Sequence, residues 1–356
     1  MPPKKSPAMS DREKAGLRGP VRECTEDRTM PAVPGFPEAK FTSTTEYDTE
    51  GRIVKTLTIN QDGSKWISVN TYDEHGRLVK TTSGQENGPV DETTYQYDEK
   101  GRMVGYSQPS SRNQVTRFEY TESGRKTRLV TSTAQQSPDG PYGKDSMILS
   151  LEFGEDLYFP TPLGGAVKTL YDENDRPTEL QVYAAGGRLV ERLVRTYDSA
   201  GRPVETKAVV EDFRPMLPED FAKELLNQPG AEEELKRQLS ELLGPQQEFG
   251  KITYTYDSEG RVTEKQNNFG PKEEIATKFA YNNQGDKIEE RTTTTRNPLD
   301  AANGSAAHAM GVDSSVAYVY KYDSYGNWIE QATQSKALPD GALQNAGICR
   351  RTITYY

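Results

Sequence analysis

Histidine and cysteine are scarce in this 356-residue chain, with two of each. His75 and His308 have no partner in a catalytic or metal-binding motif, and nucleophilic and metal sites require such partners. Cys24 and Cys349 are far apart in sequence and read as two unrelated thiols, since spacing alone cannot bring two α-carbons into bonding range. No apolar run reaches the length of about 18 residues that a spanning helix needs, and Asp11, Arg12, Glu13 and Lys14 interrupt the place where a secretory signal would be apolar. Apolar residues are few as well. The set that includes the 20 Tyr makes up 33% of the chain, below the ~45–50% apolar share of typical globular domains, so a thin, aromatic-rich core is expected.

Positive charge is also short. A net charge of -10 and a pI near 5.1 argue against a nucleic-acid partner, which would require clustered Lys and Arg. The chain carries no Walker loop, dinucleotide fingerprint, His-Glu-x-x-His segment or nucleophile elbow. Its carboxylates are abundant but form no recognisable acid and base pair in opposed environments. The expectation is a protein that is not an enzyme and takes no cofactor or metal.

What is present in quantity is a repeat. Tyr47-Asp48-Thr-Glu-Gly51-Arg52 returns 25 residues later as Tyr72-Asp73-Glu-His-Gly76-Arg77 and again as Tyr97-Asp98-Glu-Lys-Gly101-Arg102. Related copies begin at Tyr120, Tyr171, Tyr197, Tyr256, Tyr281 and Tyr322, and a degenerate one at Tyr183. Asp at the first position of a type I turn accepts a backbone hydrogen bond, and Gly three residues on takes a left-handed conformation without a Cβ penalty. Such turns close hairpins. Alternating segments precede them, as in Ile252-Thr-Tyr254-Thr-Tyr256 and Tyr318-Val-Tyr320-Lys-Tyr322, and a Val, Thr or Ile stands third after each glycine position, as at Val54, Val79, Val204 and Ile329. Period-2 alternation places one set of side chains on one face. The pattern predicts an all-β fold, an antiparallel sheet of consecutive hairpins. A four-residue loop, with Tyr opposite the Arg after Gly, is expected over a three-residue loop with a bulge at Gly.

Residues 1–40, rich in Pro and charge, read as a disordered or loosely docked arm, and residues 41–356 as the β domain. Ser137 to Gly143 looks like a surface loop, Met147 to Phe153 like a buried strand, and Asp300 to Gly311 like a loop. A small helical insertion is expected over 211–245, opened by Pro218-Glu219-Asp220 and stopped by Gly244-Pro245. The turn aspartates are read as turn caps and not as calcium ligands, because neighbouring turns lie a strand pair apart while calcium needs converging oxygens. The tyrosines have two readings: stacking between strands, or a platform for sugar rings or a peptide.

Tyr-Asp-x-x-Gly-Arg followed by an aliphatic residue resembles the YD repeat of Rhs-type and teneurin-like proteins over roughly residues 41–356. The resemblance implies a twisted or spiralling antiparallel sheet forming part of a shell, and a secreted or cell-envelope location. It also implies a non-enzymatic structural or binding role toward carbohydrate or protein. A shell fragment or accessory protein of an Rhs-type toxin system is the runner-up. The candidate binding surface is Tyr254, Tyr256, Tyr318, Tyr320 and Trp328, aromatics of the best-formed hairpins.

Overall fold

In a computed structural model the described residues are 9–33, 35, 37–108, 114–122, 125–132, 166–183, 187–212, 230–231, 233–234, 237, 248–269, 273–296, 313–338 and 341–356. The helical insertion falls almost wholly outside them, as do the segments 137–143, 147–153 and 300–311 and His308. Along the chain come α1 (Asp11–Lys14), β1 (Val21–Met30), β2 (Ala39–Tyr47), β3 (Ile53–Ile59), β4 (Lys65–Tyr72), β5 (Leu78–Gln85), β6 (Val90–Tyr97) and β7 (Met103–Gln108). Next are β8 (Gln114–Tyr120), β9 (Lys126–Ser132), β10 (Ala166–Tyr171), β11 (Pro177–Tyr183), β12 (Leu189–Tyr197) and β13 (Pro203–Val210). The series ends with β14 (Glu248–Tyr256), β15 (Val262–Phe269), β16 (Glu273–Tyr281), β17 (Lys287–Arg296), β18 (Ser314–Tyr322), β19 (Trp328–Ala337) and β20 (Gln344–Tyr355). The protein is all-β, and the pairing among described residues is antiparallel, as short loops require.

Two compact units divide the chain. One comprises residues 1–95, 279–291 and 313–356. Its strands pair in the order β6–β5–β4–β3–β2–β1–β20–β19–β18. A small apolar cluster of Leu17, Val21, Cys24 and Tyr47 sits there, with Ile53, Ile353 and Tyr355 against it. The other comprises residues 96–278 and 292–312. Its strands pair from β7 through to β16 in sequence order. Alternate residues Leu180, Val182, Leu193, Ala208 and Ile252 gather with Val167 into its core. Period 2 in the sequence thus becomes a one-sided apolar layer.

Each repeat closes its hairpin in one way. The Asp48 N–H donates to the Arg52 carbonyl and the Gly51 N–H to the Asp48 carbonyl, both at 3.0 Å, and the same pair of bonds recurs at Asp73, Asp98, Asp198, Asp257 and Asp323. The φ angles of Gly51, Gly76, Gly101 and Gly260 are 81°, 75°, 74° and 84°. This is a three-residue loop, not the expected four: Asp faces Arg, and Tyr47 pairs with Ile53. The cause is the left-handed glycine, which forms a bulge on the return strand that matches the twist of the flanking strands. A second irregularity follows, where the ladder steps from Tyr47↔Ile53 to Glu46↔Lys55 and skips Val54. Val79, Thr178, Val204, Thr263 and Ile329 are skipped likewise. The recurrent β-branched position is therefore a bulge. Since Thr56 pairs with Thr45, the bulge also returns Val54 to the face of Tyr47.

The N-terminal segment departs from expectation. Residues 21–30, read from composition as part of a loose arm, form a ten-residue strand paired on both sides, with β2 and with β20. A partial shell would leave its first and last strands as edges; in this unit β1 fills the place between the C-terminal strand and the first repeat. Its side chains explain this. Val21 and Cys24 are buried, at 0% and 5% exposure, and the β-branched Thr25 beside Cys24 suits a half-covered sheet surface.

Candidate functional site

The side chains with the most recurrent chemistry form the row of turns. In each well-formed copy the aspartate is fully engaged: Asp48 Oδ1 accepts the Arg52 N–H at 2.9 Å and Oδ2 accepts its Nε–H at 2.6 Å. Asp73, Asp98, Asp172, Asp198 and Asp257 do the same with Arg77, Arg102, Arg176, Arg202 and Arg261. The Arg102 N–H is foremost in holding the Asp98 carboxyl below its usual range, and the Arg202 and Arg261 N–H groups act likewise on Asp198 and Asp257. The turn-cap assignment of these aspartates rests on this geometry. Among the described residues no three His, Cys, Asp or Glu gather as metal ligands would.

The arginine also reaches forward to the next hairpin. Arg52 lies 4.7 Å from the ring centroid of Tyr72, Arg102 4.1 Å from Tyr120, Arg176 4.6 Å from Tyr197 and Arg202 4.5 Å from Tyr256. The covered tyrosine donates its hydroxyl hydrogen back to the carbonyl that follows the arginine: Tyr72 to Ile53 at 2.8 Å, Tyr120 to Met103 at 2.8 Å, Tyr197 to Pro177 at 2.6 Å and Tyr256 to Pro203 at 2.6 Å. Each of these four turns is thus gripped by the turn before it. Sequence reasoning assigned the Tyr and Asp roles and left the arginine without one, although its constant place after glycine was the available signal.

The five sequence-predicted aromatics are half-buried and fall into two groups. Tyr254 and Tyr256 belong to the second unit, where Tyr254 packs on the Val167–Leu193–Ile252 core and Tyr256 is the clasped ring just described. Tyr318, Tyr320 and Trp328 come together in the first unit. Tyr320 and Trp328 have centroids 6.2 Å apart, Tyr320 and Tyr322 6.0 Å. Arg351 lies 3.4 Å from the Trp328 centroid and Lys287 Nζ 5.2 Å from that of Tyr318. The Tyr320 hydroxyl donates to the Lys287 carbonyl at 2.7 Å and accepts from Gln331 at 2.9 Å. Arg351 was not anticipated either, because it sits on the last strand and meets Trp328 only through pairing.

Other reactive groups are quiet. Burial pushes the Cys24 thiol up to about 11, and a thiol is nucleophilic only as thiolate. Cys24 faces Ile353 and Cys349 faces Arg28 on the paired strands, an offset of roughly 13 Å. Both are free. His75 is an exposed turn residue whose N–H donates to Asp73 at 3.0 Å. A surface hollow of about 350 Å³ lies beside the turn of Asp172, Asn174 and Arg176.

A family model described as the RHS repeat matches residues 72–112, which hold the Tyr72 and Tyr97 copies. No curated protein matches the chain. Among solved structures, a porin-like protein from Bacteroides uniformis is similar over 95% of this chain and 98% of its own, at 10% identity and a TM-score of 0.37. The TcdB2-TccC3-Cdc42 structure is similar over 85% of this chain and 16% of its own, at 14% identity and a TM-score of 0.24. The Photorhabdus luminescens Tc holotoxin pore gives 85%, 15%, 15% identity and a TM-score of 0.23. Scores this low establish no common fold, and this chain spans only about a sixth of those toxin chains. What the comparisons show is narrower: residues 72–112 match the RHS-repeat model, and the recurring turns along the rest of the chain resemble the same repeat.

Proposed function

We propose that this chain is a non-enzymatic structural wall, a segment or accessory of an Rhs-type shell. One observation carries the reading. The recurrent Tyr, Asp and Arg side chains are consumed in closing the turns and gripping one hairpin to the next, which makes a stiff sheet and leaves the motif no open, convergent group for chemistry. Repeat architectures of this kind act through extended surfaces and not through one deep pocket. The resemblance to shell-forming repeats supplies the role, and a secreted or envelope location goes with it. The test is a protease-sensitive, unfolded passenger appended after Tyr356, compared with the same passenger on an unrelated β domain. Slower cleavage on this chain supports an enclosing wall, and equal rates remove that role.

A second reading is favoured by the Tyr318, Tyr320 and Trp328 group, where half-buried rings adjoin Lys287 and Arg351. Flat rings with cations beside them suit an acidic sugar or peptide. Glycan-array binding lost in a folded Tyr320→Ala, Trp328→Ala variant favours this reading. Binding unaffected by the change excludes the patch.

A further inference from the structure

Two copies of the repeat lack the arginine on which the clasp depends: Asp286 stands in its place after Gly285, and Asn327 after Gly326. Both departures meet the N-terminal arm. In the regular copies the arginine Nη1 comes close to the next glycine, as Arg52 does at Gly76 and Arg176 at Gly201. At Gly326 the group in that place is Arg18 Nη1, which donates to the Gly326 carbonyl at 2.6 Å while Nη2 donates to the Gln284 carbonyl at 2.9 Å. The guanidinium therefore joins the turn that holds Asp286 to the turn that follows it. Asn327, 1% exposed, grips the same residue by its main chain: Oδ1 accepts the Arg18 N–H at 2.7 Å, and Nδ2 donates to the Arg18 carbonyl at 2.9 Å and to the Tyr355 hydroxyl at 2.9 Å.

The segment next to Arg18 reproduces the rest of a repeat turn. Gly19 has φ 77°, like the motif glycines. Tyr356 N–H donates to the Pro20 carbonyl at 2.9 Å, the counterpart of Asp48 to Arg52. Tyr355 pairs with Val21, and the ladder then steps to Thr354↔Glu23 and skips Arg22, as it skips Val54. Strands β20 and β1 are thus the two arms of one repeat hairpin whose covalent turn is absent. On its other side the arm docks on the first repeat, with the Arg12 N–H on the Gly51 carbonyl at 2.9 Å and the Ile53 N–H on Asp11 at 3.2 Å.

We propose that residues 10–22 are a clasp that completes, from the opposite end of the chain, the repeat begun by the C-terminal strand, with Arg18 standing in for the arginine absent at Asp286. Detaching it together with β1 leaves β20 and β2 with unpaired edges, which are templates for another strand.

The test is complementation by the motif's own chemistry, read by hydrogen–deuterium exchange of peptides covering residues 15–30 and 343–356 in the full chain. Losing hydrogen bonds made by a charged group, Arg18→Ala is expected to speed exchange there about tenfold to a hundredfold. Adding Asn282→Asp with Asp286→Arg restores an Asp and Arg pair to the preceding turn, and is expected to bring exchange back toward wild type. With Arg18 intact, the same pair of changes sets two guanidinium groups against one carbonyl and should loosen the arm, a readout that holds even where Arg18→Ala does not fold. Exchange at these peptides unchanged by Arg18→Ala, or unchanged by the pair of substitutions in both backgrounds, overturns the proposal.

Discussion

Arg52 occupies the space that a side chain at Gly76 would take: a β-carbon there would lie 2.5 Å from Arg52 Nη1. The glycine thus serves two purposes, a left-handed backbone for its own turn and an opening for the arginine of the turn before.

Those purposes separate by mutation. Gly63 has φ 80° and nothing within 4 Å of its would-be β-carbon, whereas Gly76 has φ 75° with the arginine in the way. Gly63→Ala is expected to cost only the left-handed penalty, about 1–2 kcal/mol. Gly76→Ala is expected to cost more, and the excess should vanish when Arg52 is shortened to Ala. Urea unfolding of the four variants measures this, and equal costs at the two glycines would mean that Arg52 simply moves aside.

Tyr256 and Arg202 form one unit with the Pro203 carbonyl. Tyr256→Phe leaves that half-buried carbonyl short of a donor and is expected to cost about 1 kcal/mol. Arg202→Ala removes the cation above the ring, at about 0.5–1 kcal/mol. In a double-mutant cycle on thermal unfolding the two should be non-additive. Strict additivity would show that the arginine and tyrosine act independently.

The turn aspartates set an acid limit. The Arg102, Arg202 and Arg261 backbone N–H groups hold Asp98, Asp198 and Asp257 below the usual carboxylate range. A depressed folded value means stability that is present above the unfolded value of about 3.9 and lost as pH falls through the folded one. Asp257→Asn keeps an oxygen for the turn amides, as Asn282 does with Gln284 and Asp286, but cannot lose charge. Its unfolding midpoint should fall less between pH 5 and pH 2 than that of wild type, and parallel curves would remove Asp257 from the acid transition.

Glu191 works in the opposite direction. It is 1% exposed, faces Val182 and Val210 on the neighbouring strands, and neither carboxyl oxygen has a hydrogen-bond partner among the described residues. Burial pushes its carboxyl well above the ordinary value. The stability that goes with the neutral form is full below the unfolded value of about 4.3 and is lost as pH rises toward the folded one. Glu191→Leu is expected to stabilise by about 1–3 kcal/mol at neutral pH, with a smaller gain near pH 4. A gain that does not change with pH would mean that Glu191 ionises freely in the folded protein.

Hairpin, turn aspartate and left-handed glycine were legible in the sequence because they are local: Asp48 and Gly51 interact within one turn, and φ and hydrogen bonding over four residues depend on little else. The loop length was misjudged because a bulge at glycine and a second at Val54 leave the same alternation in the sequence as a four-residue loop without them. The arm was misjudged for a different reason. Composition describes solubility, and residues 21–30 become a strand only because β2 and β20 offer edges on both sides. The gathering of Tyr318, Tyr320 and Trp328 with Arg351, and the reach of Arg18 to Gly326 and Asn327, join residues as much as 309 positions apart. Such contacts follow from strand pairing and register, which tertiary structure alone decides, while the repeating turn is written wherever Tyr-Asp-x-x-Gly-Arg occurs.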